Sequence, residues 1–424
     1  MKADKANIAY NKDRDEKRNS LNLCLYFFEG GNGMKEKIEF KKGLYLLNPQ
    51  PNFNFQLNRV IMWDGGRLED IQKIAAKIVD SQSWKNQLSL LAEEAERDGR
   101  IENAIAYYRM SEFFMYDGDA DKIAAYSKAT ELFYDFYAQY FTSGQVQLYH
   151  IPYEDITLPV MYAKSLGPRQ DIILLHGGND SYFEELFFPM LYLSEQGFDV
   201  YLFEGPGQGG VIRLQGKHFT YQWERPVQAI LDSFQLENVT IVGASLGGYL
   251  APRAAAFEPR IERVVAWSVF PDFLAVITAT QPRWMQAVLH FLLKCRAKGL
   301  INLIARQRMQ HGDSTVEWGL KHGMFAFEAD TPYEYFQKIS AYQLAPIAAD
   351  IWQDVLILGA SQDHFVDYRT VAQEIQSLIN VRSLTFRLMT EAEHASNHCN
   401  CGNSKLVLDT IVNWILMMKR DDRF

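Results

Sequence analysis

The stretch 239–248 reads VTIVGASLGG and joins an apolar, β-branched run to a serine bracketed by glycines. Val239–Val242 predicts a strand buried on both faces, and a helical pattern begins at Leu246. Between them lies the motif G-x-S-x-G, whose outer glycines let a strand and a helix pass close together around a sharp turn. The stretch therefore predicts a strand–turn–helix unit that exposes the Ser245 hydroxyl at a sheet edge, with a helix N-terminus behind it.

Similar apolar blocks recur on both sides of this unit. The other predicted strands are 146–151, 156–163, 172–175, 200–203, 264–267, 355–358 and 384–388. Segments of helical period separate most of them, at 184–193, 227–234, 246–257, 370–378 and 404–417. Alternation of short buried strands with helices predicts an α/β fold, with a doubly wound and mostly parallel sheet.

The remaining length divides into three further parts. Nearly ninety residues separate the strands at 264–267 and 355–358, and their helical pattern predicts an inserted cap over about 272–345. Residues 1–20 alternate opposite charges and predict a flexible tail. Residues 21–145 form a mostly helical N-terminal domain by pattern, although 21–60 give no clear assignment, and 146–424 form the α/β domain.

Composition excludes several classes of partner. The chain has 424 residues and a formal charge of −9, which disfavours nucleic acid and anionic membranes as partners. Its most apolar internal stretch, 287–305, carries three basic residues at its centre, too many for a membrane span. Four cysteines in this length form no disulfide framework, which favours a reduced, cytoplasmic setting.

A serine nucleophile needs a base and an acid, and both have candidates downstream of Ser245. In enzymes with this turn, the acid and then the histidine follow later strands. Asp363 lies on the loop after 355–358, with Asp367 as a later competitor. Two histidines, His394 and His398, follow 384–388, and spacing alone leaves both open.

An oxyanion also needs two amide donors. The residue after the nucleophile, Leu246, supplies one of them in this geometry. The second is expected from the loop after 172–175, where Gly178 is the first choice and Asn179 the next. Asn179 is also a possible substrate contact. His176, at the end of that strand, is interpreted as a structural residue.

No metal or cofactor is predicted. Histidine and cysteine crowd together between His394 and Cys401, but only Asn400 separates Cys399 from Cys401. Structural zinc sites usually place two to four residues between paired cysteines. The glycine-rich run 205–210 lacks the Gly-Lys-Ser/Thr ending of a phosphate-binding loop.

Residues 146–424 resemble the α/β-hydrolase superfamily. Finer motifs resemble its branch with an N-terminal helical extension, which includes dihydroxypseudooxynicotine hydrolase, fungal hydrolases that shorten pigment polyketides and acylaminoacyl-peptidase-like proteins. The motifs are HGGNDS at 176–181 with two glutamates at 184–185, EGPGQG at 204–209, and the pair His398-Cys399 before Gly402-Asn403. The resemblance implies that His398 is the base. Full-length acylaminoacyl peptidases carry a β-propeller, for which residues 1–145 are too short.

The resemblance and the motifs together predict a serine hydrolase with the triad Ser245, Asp363 and His398. Expected substrates are a carboxylic ester, or an amide of a small molecule or short acyl-peptide. Two alternatives are a hydrolase of the C–C bond in a β-diketone-like compound and a non-catalytic binding protein on the same scaffold. The helical extension offers a surface for a homodimer.

Glu204 stands where the family commonly has Asp, at the end of the strand 200–203. It has two interpretations. Its carboxylate either caps the following glycine loop through backbone amides or contacts a substrate amine or hydroxyl.

Overall fold

Eight strands form one sheet in the computed structural model, which describes residues 33, 35, 37–63, 65–117, 119–279, 281–312 and 314–421. The predicted tail at 1–20 and Cys24 lie outside these residues. The strands are β1 (Val146–Tyr153), β2 (Ile156–Ala163), β3 (Asp171–His176), β4 (Phe198–Phe203), β5 (Val239–Ala244), β6 (Ile261–Trp267), β7 (Asp354–Ala360) and β8 (Ser383–Met389).

The strand order is β1-β2-β4-β3-β5-β6-β7-β8. β1 pairs antiparallel with β2, and β2 antiparallel with β4. All other pairs are parallel. The predicted α/β fold with a mostly parallel sheet is therefore confirmed, and every predicted strand is present.

In the described part of the chain, seven helices lie beside the sheet or in the connections that follow its strands. They are α7 (Phe187–Glu195), α8 (Gly209–Gln215), α9 (Glu224–Phe234), α10 (Gly247–Phe257), α16 (Val371–Ser377), α17 (Ser404–Asp421) and, directly after β6, α11 (Phe273–Thr278). The central strands are buried on both faces because helices cover each side. In β5, Ile241 belongs to the hydrophobic cluster that includes α9 and α10, and its neighbour Val242 to the cluster that includes α7 and α17.

Among the described residues, six helices precede the sheet. They are α1 (Pro51–Met62), α2 (Leu68–Ala75), α3 (Ser81–Arg97), α4 (Ile101–Ser111), α5 (Ala120–Phe136) and α6 (Ala138–Thr142). Sequence patterns did not predict α1. Pro51 looks like a break, but proline is well tolerated at the first helical position. The Gln50 side chain caps this helix by accepting a hydrogen bond from the Phe53 amide at 2.7 Å.

Further helices fill the interval between β6 and β7 after α11. They are α12 (Arg283–Lys294), α13 (Lys298–His311), α14 (Ser314–Ala326) and α15 (Pro332–Ile339). α14 contacts the N-terminal helices, since Trp318 stacks on Phe113 with ring centroids 5.1 Å apart. Gln50 also donates a 2.9 Å hydrogen bond to Thr315. The N-terminal helices and the inserted helices therefore meet each other as well as the sheet.

None of the helices in the described part of the chain is both long enough and apolar enough to cross a membrane.

Candidate active site

Ser245 lies on a strained turn between β5 and α10. Its backbone has φ +60°, a left-handed conformation that non-glycine residues seldom adopt. A side chain at Gly243 would place its Cβ 2.3 Å from the carbonyl oxygen of Gly247, and one at Gly248 would meet the carbonyl oxygen of Ser268 at 2.3 Å. Gly243, an outer glycine of the motif, is therefore required by the close passage of strand and helix, and Gly248 is required by the loop that follows β6.

Three polar side chains form a continuous hydrogen-bonded chain at this turn. His398 Nε2 lies 2.8 Å from Ser245 Oγ. The other ring nitrogen, Nδ1, lies 2.7 Å from Asp363 Oδ2. Asp363 Oδ1 accepts hydrogen bonds from the amides of Phe365 at 2.9 Å and Val366 at 3.0 Å, so its carboxylate is held on both sides. The structure thus brings together the serine, histidine and aspartate that the sequence singled out.

Charge and burial oppose each other in this chain of groups. Burial lowers the pKa of His398, but the charge and hydrogen bond of Asp363 raise it, and the net shift is well above the usual value. Burial raises the pKa of Asp363, but the charge and hydrogen bond of His398 bring it below its usual value. The arrangement therefore favours an ionised aspartate beside a basic imidazole.

The alternative acid and base lie elsewhere. Asp367 is exposed and caps a short 3-10 turn by accepting from the Arg369 amide at 3.0 Å. His394 is also exposed and ends another short turn with φ +58°. Neither residue contacts Ser245, so the geometry brings Asp363 and His398 to the serine instead.

The loop after β3 lies directly against the nucleophile. A Cβ at Gly178 would be 2.7 Å from both the Leu246 amide nitrogen and Ser245 Cβ. The Leu246 amide has no backbone acceptor among the described residues. The Gly178 amide instead donates to Ser181 Oγ at 2.8 Å. Both predicted donors therefore adjoin the serine, but the Gly178 amide already has an acceptor.

Gln208, which sequence reasoning passed over, supports this loop from behind. Its Nε2 donates to the carbonyl oxygens of Gly177 at 2.8 Å and Gly178 at 3.1 Å. Its Oε1 accepts from the Gly205 amide at 2.9 Å. His176 is fully buried and its Nδ1 lies 2.9 Å from the Gly177 carbonyl oxygen, which agrees with a structural role.

A cavity of about 510 Å³ opens above Ser245. Three parts of the chain contribute its walls: the N-terminal helices, the loops of the sheet and the inserted helices. The N-terminal helices contribute Phe55, Gln56 and Arg59, and the loops of the sheet contribute Ser245 and His398. The inserted helices contribute Phe273, Trp318 and His322. Such a partly apolar pocket with a few converging polar groups is typical of small-molecule sites.

The contribution of α1 is the part of the site that the sequence did not reveal. The Phe55 ring lies 5.8 Å from the His398 ring, centroid to centroid. Arg59 is buried and forms a bidentate ion pair with Glu185, including a 2.6 Å bond from Nη2 to Oε2. This ion pair joins α1 to the segment that follows the loop at Gly178. The helix that contacts His398 is therefore held beside the loop that contacts Ser245.

Comparisons with known proteins give the family of this chain. The model of the alpha/beta hydrolase family matches residues 172–400, more than half of the chain, from β3 to beyond His398. The chain belongs to the alpha/beta hydrolase family. This confirms the family resemblance that the sequence motifs predicted.

Curated relatives of this hydrolase come from fungi. Hydrolase acrC of Aspergillus aculeatus is 28% identical over 296 residues, which cover 63% of this chain and 68% of the relative. The 20-hydroxy-prefusarin hydrolase FUS2 of Gibberella moniliformis is 28% identical over 374 residues, covering 74% and 88%. Among solved structures, 2,6-dihydroxy-pseudo-oxynicotine hydrolase aligns over 85% of this chain and 94% of its own, with a TM-score of 0.59 and 19% identity.

Glu204 is separated from the cavity of the hydrolase. The buried carboxylate accepts from the Phe183 amide at 3.0 Å and from the Gly210 amide at 2.8 Å. A side chain at Gly209 would collide with it. Glu204 does not line the cavity, so the geometry matches the capping interpretation rather than the substrate contact.

At about pH 5 and below, Glu204→Gln is expected to lower stability, while kcat/KM changes by less than about threefold for amine-bearing and neutral esters alike. Burial and then the charge of Glu184 raise the pKa of Glu204 to about 8. The folded state therefore binds this proton more tightly than the unfolded state, and the stability it contributes is lost as pH rises from about 5 through 8. Urea unfolding should show that wild-type stability falls relative to the variant over this range.

At the acid end of that range the variant should be less stable by about 1–3 kcal/mol, because the glutamine amide group cannot accept from both backbone amides. A selective loss of kcat/KM for amine-bearing esters would instead show that Glu204 contacts the substrate.

No group of three or more His, Cys, Asp or Glu side chains in the described part of the chain is placed to hold one metal ion. Cys399 and Cys401 are both buried, whereas His394 is exposed.

Proposed function

We propose that this hydrolase is a serine hydrolase in which Ser245 is the nucleophile, His398 the general base and acid, and Asp363 the residue that orients the imidazole. The observation that carries the proposal is the position of His398, whose two ring nitrogens lie 2.8 Å from Ser245 Oγ and 2.7 Å from Asp363 Oδ2. With Nδ1–H donating to the carboxylate, Nε2 is left as an acceptor for the serine proton.

The reaction follows from these positions. Ser245 Oγ forms a bond to the substrate carbonyl carbon while its proton passes to His398 Nε2. The Leu246 and Gly178 amides are the proposed donors to the oxyanion, which requires the Gly178 hydrogen to be shared with or released by Ser181. His398 then protonates the leaving group, and water hydrolyses the acyl-enzyme by the same proton transfers in reverse.

The proposed substrates are carboxylic esters, or amides of small molecules and short acyl-peptides. The volume and mixed walls of the cavity support an uncharged molecule of moderate size. Hydrolysis of a C–C bond in a β-diketone-like compound is the second candidate, since the relatives are named hydrolases and hydrolyases without a common bond type. One named substrate among them is 20-hydroxy-prefusarin.

A fluorophosphonate probe and three substrates test this proposal together. The probe is expected to label one residue, Ser245, as mapped by peptide mass spectrometry. Parallel turnover of p-nitrophenyl butyrate, an acylated aminoacyl anilide and a β-diketone then assigns the bond type. Absence of labelling together with absence of turnover of all three would contradict an enzyme of this class and favour a binding protein on the same scaffold.

A further inference from the structure

Two polar side chains lie in the cavity wall beside the nucleophile and take no part in the chain of groups described above. Asn179 follows Gly178, the residue that touches Ser245, and it lines the cavity. His322 projects from α14 into the same cavity and is only 8% exposed. The Asn179 backbone lies within hydrogen-bonding reach of the His322 ring, so the two residues are neighbours.

Some of their polar atoms lack hydrogen-bond partners among the described residues. Asn179 Oδ1 is buried and has no hydrogen-bond partner among the described residues. The Asn179 backbone can engage only one of the two ring nitrogens of His322, so at least one buried nitrogen lacks a partner. Buried polar atoms are nearly always paired, and unpaired ones cost free energy. Their concentration on a cavity wall therefore points to a ligand that completes them.

The surroundings of His322 define what that ligand can be. The ring stacks on Trp318 with centroids 5.0 Å apart and planes within 4° of parallel, which holds its orientation. Burial and the positive charges of Lys122 and Arg213 lower its pKa well below the usual value. A neutral imidazole offers one donor and one acceptor, and the asparagine amide also offers both kinds of group.

We propose that Asn179 and His322 form a polar subsite that binds a hydroxyl group of the substrate close to the scissile carbonyl. The proposal rests on the proposed function, because it takes Ser245 as the point of attack. The unpaired Asn179 Oδ1 and the ring nitrogen that the Asn179 backbone does not engage are both acceptors, so a hydroxyl can donate to one of them. A ketone has no donor and would complete neither. His322 is thus a specificity-determining residue, and it takes no part in proton transfer.

Matched substrates isolate this oxygen from the rest of the molecule. On the acyl side, p-nitrophenyl β-hydroxybutyrate is compared with p-nitrophenyl butyrate. On the alcohol side, hydroxybutyl butyrate is compared with butyl butyrate. For each enzyme the readout is the ratio of kcat/KM for the oxygenated ester to that for the plain ester, so a general loss of activity cancels.

Wild-type enzyme is expected to prefer the oxygenated ester about tenfold or more in at least one of the two sets. His322→Phe keeps an aromatic ring on Trp318 but removes both nitrogens, and it should reduce that ratio about tenfold. His322→Gln restores a donor and an acceptor and should recover part of the preference. Asn179→Ala should reduce the same ratio in the same set.

Equal ratios in wild-type enzyme and His322→Phe for both sets would overturn the subsite, as would a wild-type enzyme without any preference. If His322→Phe fails to fold by circular dichroism, an unchanged ratio in His322→Gln and Asn179→Ala together would overturn it. Failure of the proposed function looks different, because wild-type enzyme would then hydrolyse none of the esters and would not react with the fluorophosphonate.

Discussion

Replacing Ser245 with alanine is expected to reduce kcat for ester hydrolysis on the order of 10⁵–10⁶-fold, since removal of a serine nucleophile abolishes the covalent pathway. The loss should appear in kcat more than in KM, because the alanine leaves the cavity walls in place. Stability should change little, since the Ser245 hydroxyl has one hydrogen bond, to His398. Steady-state kinetics with p-nitrophenyl butyrate and a thermal melt measure both quantities.

Ser233→Ala is the matched control. This serine is exposed on α9, and its hydroxyl donates only to the Ala229 carbonyl oxygen at 2.7 Å within the same helix. Its removal should leave both turnover and fluorophosphonate labelling at the wild-type level. Turnover by Ser245→Ala within tenfold of wild type, after contaminating hydrolases are excluded by a second purification, would show that another group performs the reaction.

The strands could be predicted because their signal is local. β5 consists of six buried residues between two helical faces, and all of them except Thr240 are apolar, so no polar alternation obscures the strand. The turn at Ser245 is equally local, since a side chain at Gly243 would meet Gly247 within the same strand–turn–helix unit. In such places the sequence and the packing carry the same information.

Helix α1 makes a contribution to the site that the local sequence does not predict. Its function in the site depends on a contact between Phe55 and His398, more than 300 residues apart in the chain, and no pattern within 51–62 indicates it. The choices between Asp363 and Asp367 and between His394 and His398 are similar. Each pair lies on one loop, so spacing alone leaves both members open, and the path of the loop in space separates them.

Glu204 illustrates a third case. Sequence position correctly indicates a carboxylate at the end of β4, on the same sheet edge as Ser245. What the sequence does not show is that the loop folds back and places the Gly210 amide 2.8 Å from its carboxylate oxygen. Burial and two backbone donors occupy the carboxylate, which agrees with the capping interpretation, although its place along the strand also allowed a contact with the substrate.

Asp363→Asn is expected to lower kcat about 10³–10⁴-fold without loss of fold. The asparagine Oδ1 can still accept from the Phe365 and Val366 amides, which preserves the loop. Its Nδ2 then donates to His398 Nδ1, and this forces the ring proton onto Nε2. Nε2–H points at Ser245 Oγ and cannot accept the serine proton, so the base is disabled although every atom remains nearly in place.

The pH dependence gives an independent readout of the same substitution. The Asp363 carboxylate acts to raise the pKa of His398, and His398 must be unprotonated to act as a base. Loss of the charge lowers that pKa, so the acidic limb of the kcat/KM profile should move to lower pH in the residual activity of Asp363→Asn. A purely structural defect would lower the whole profile without moving the limb.

Asp367→Asn is the control that distinguishes the two candidate acids. Asp367 is exposed and caps a 3-10 turn, and asparagine is an equally good cap, so kcat should stay within about twofold of wild type. Comparable losses in both variants would mean that the loop, rather than one carboxylate, is what activity requires. Full activity in Asp363→Asn with a large loss in Asp367→Asn would show that Asp367 is the acid. The loop would then have to rearrange to bring Asp367 to His398 during turnover.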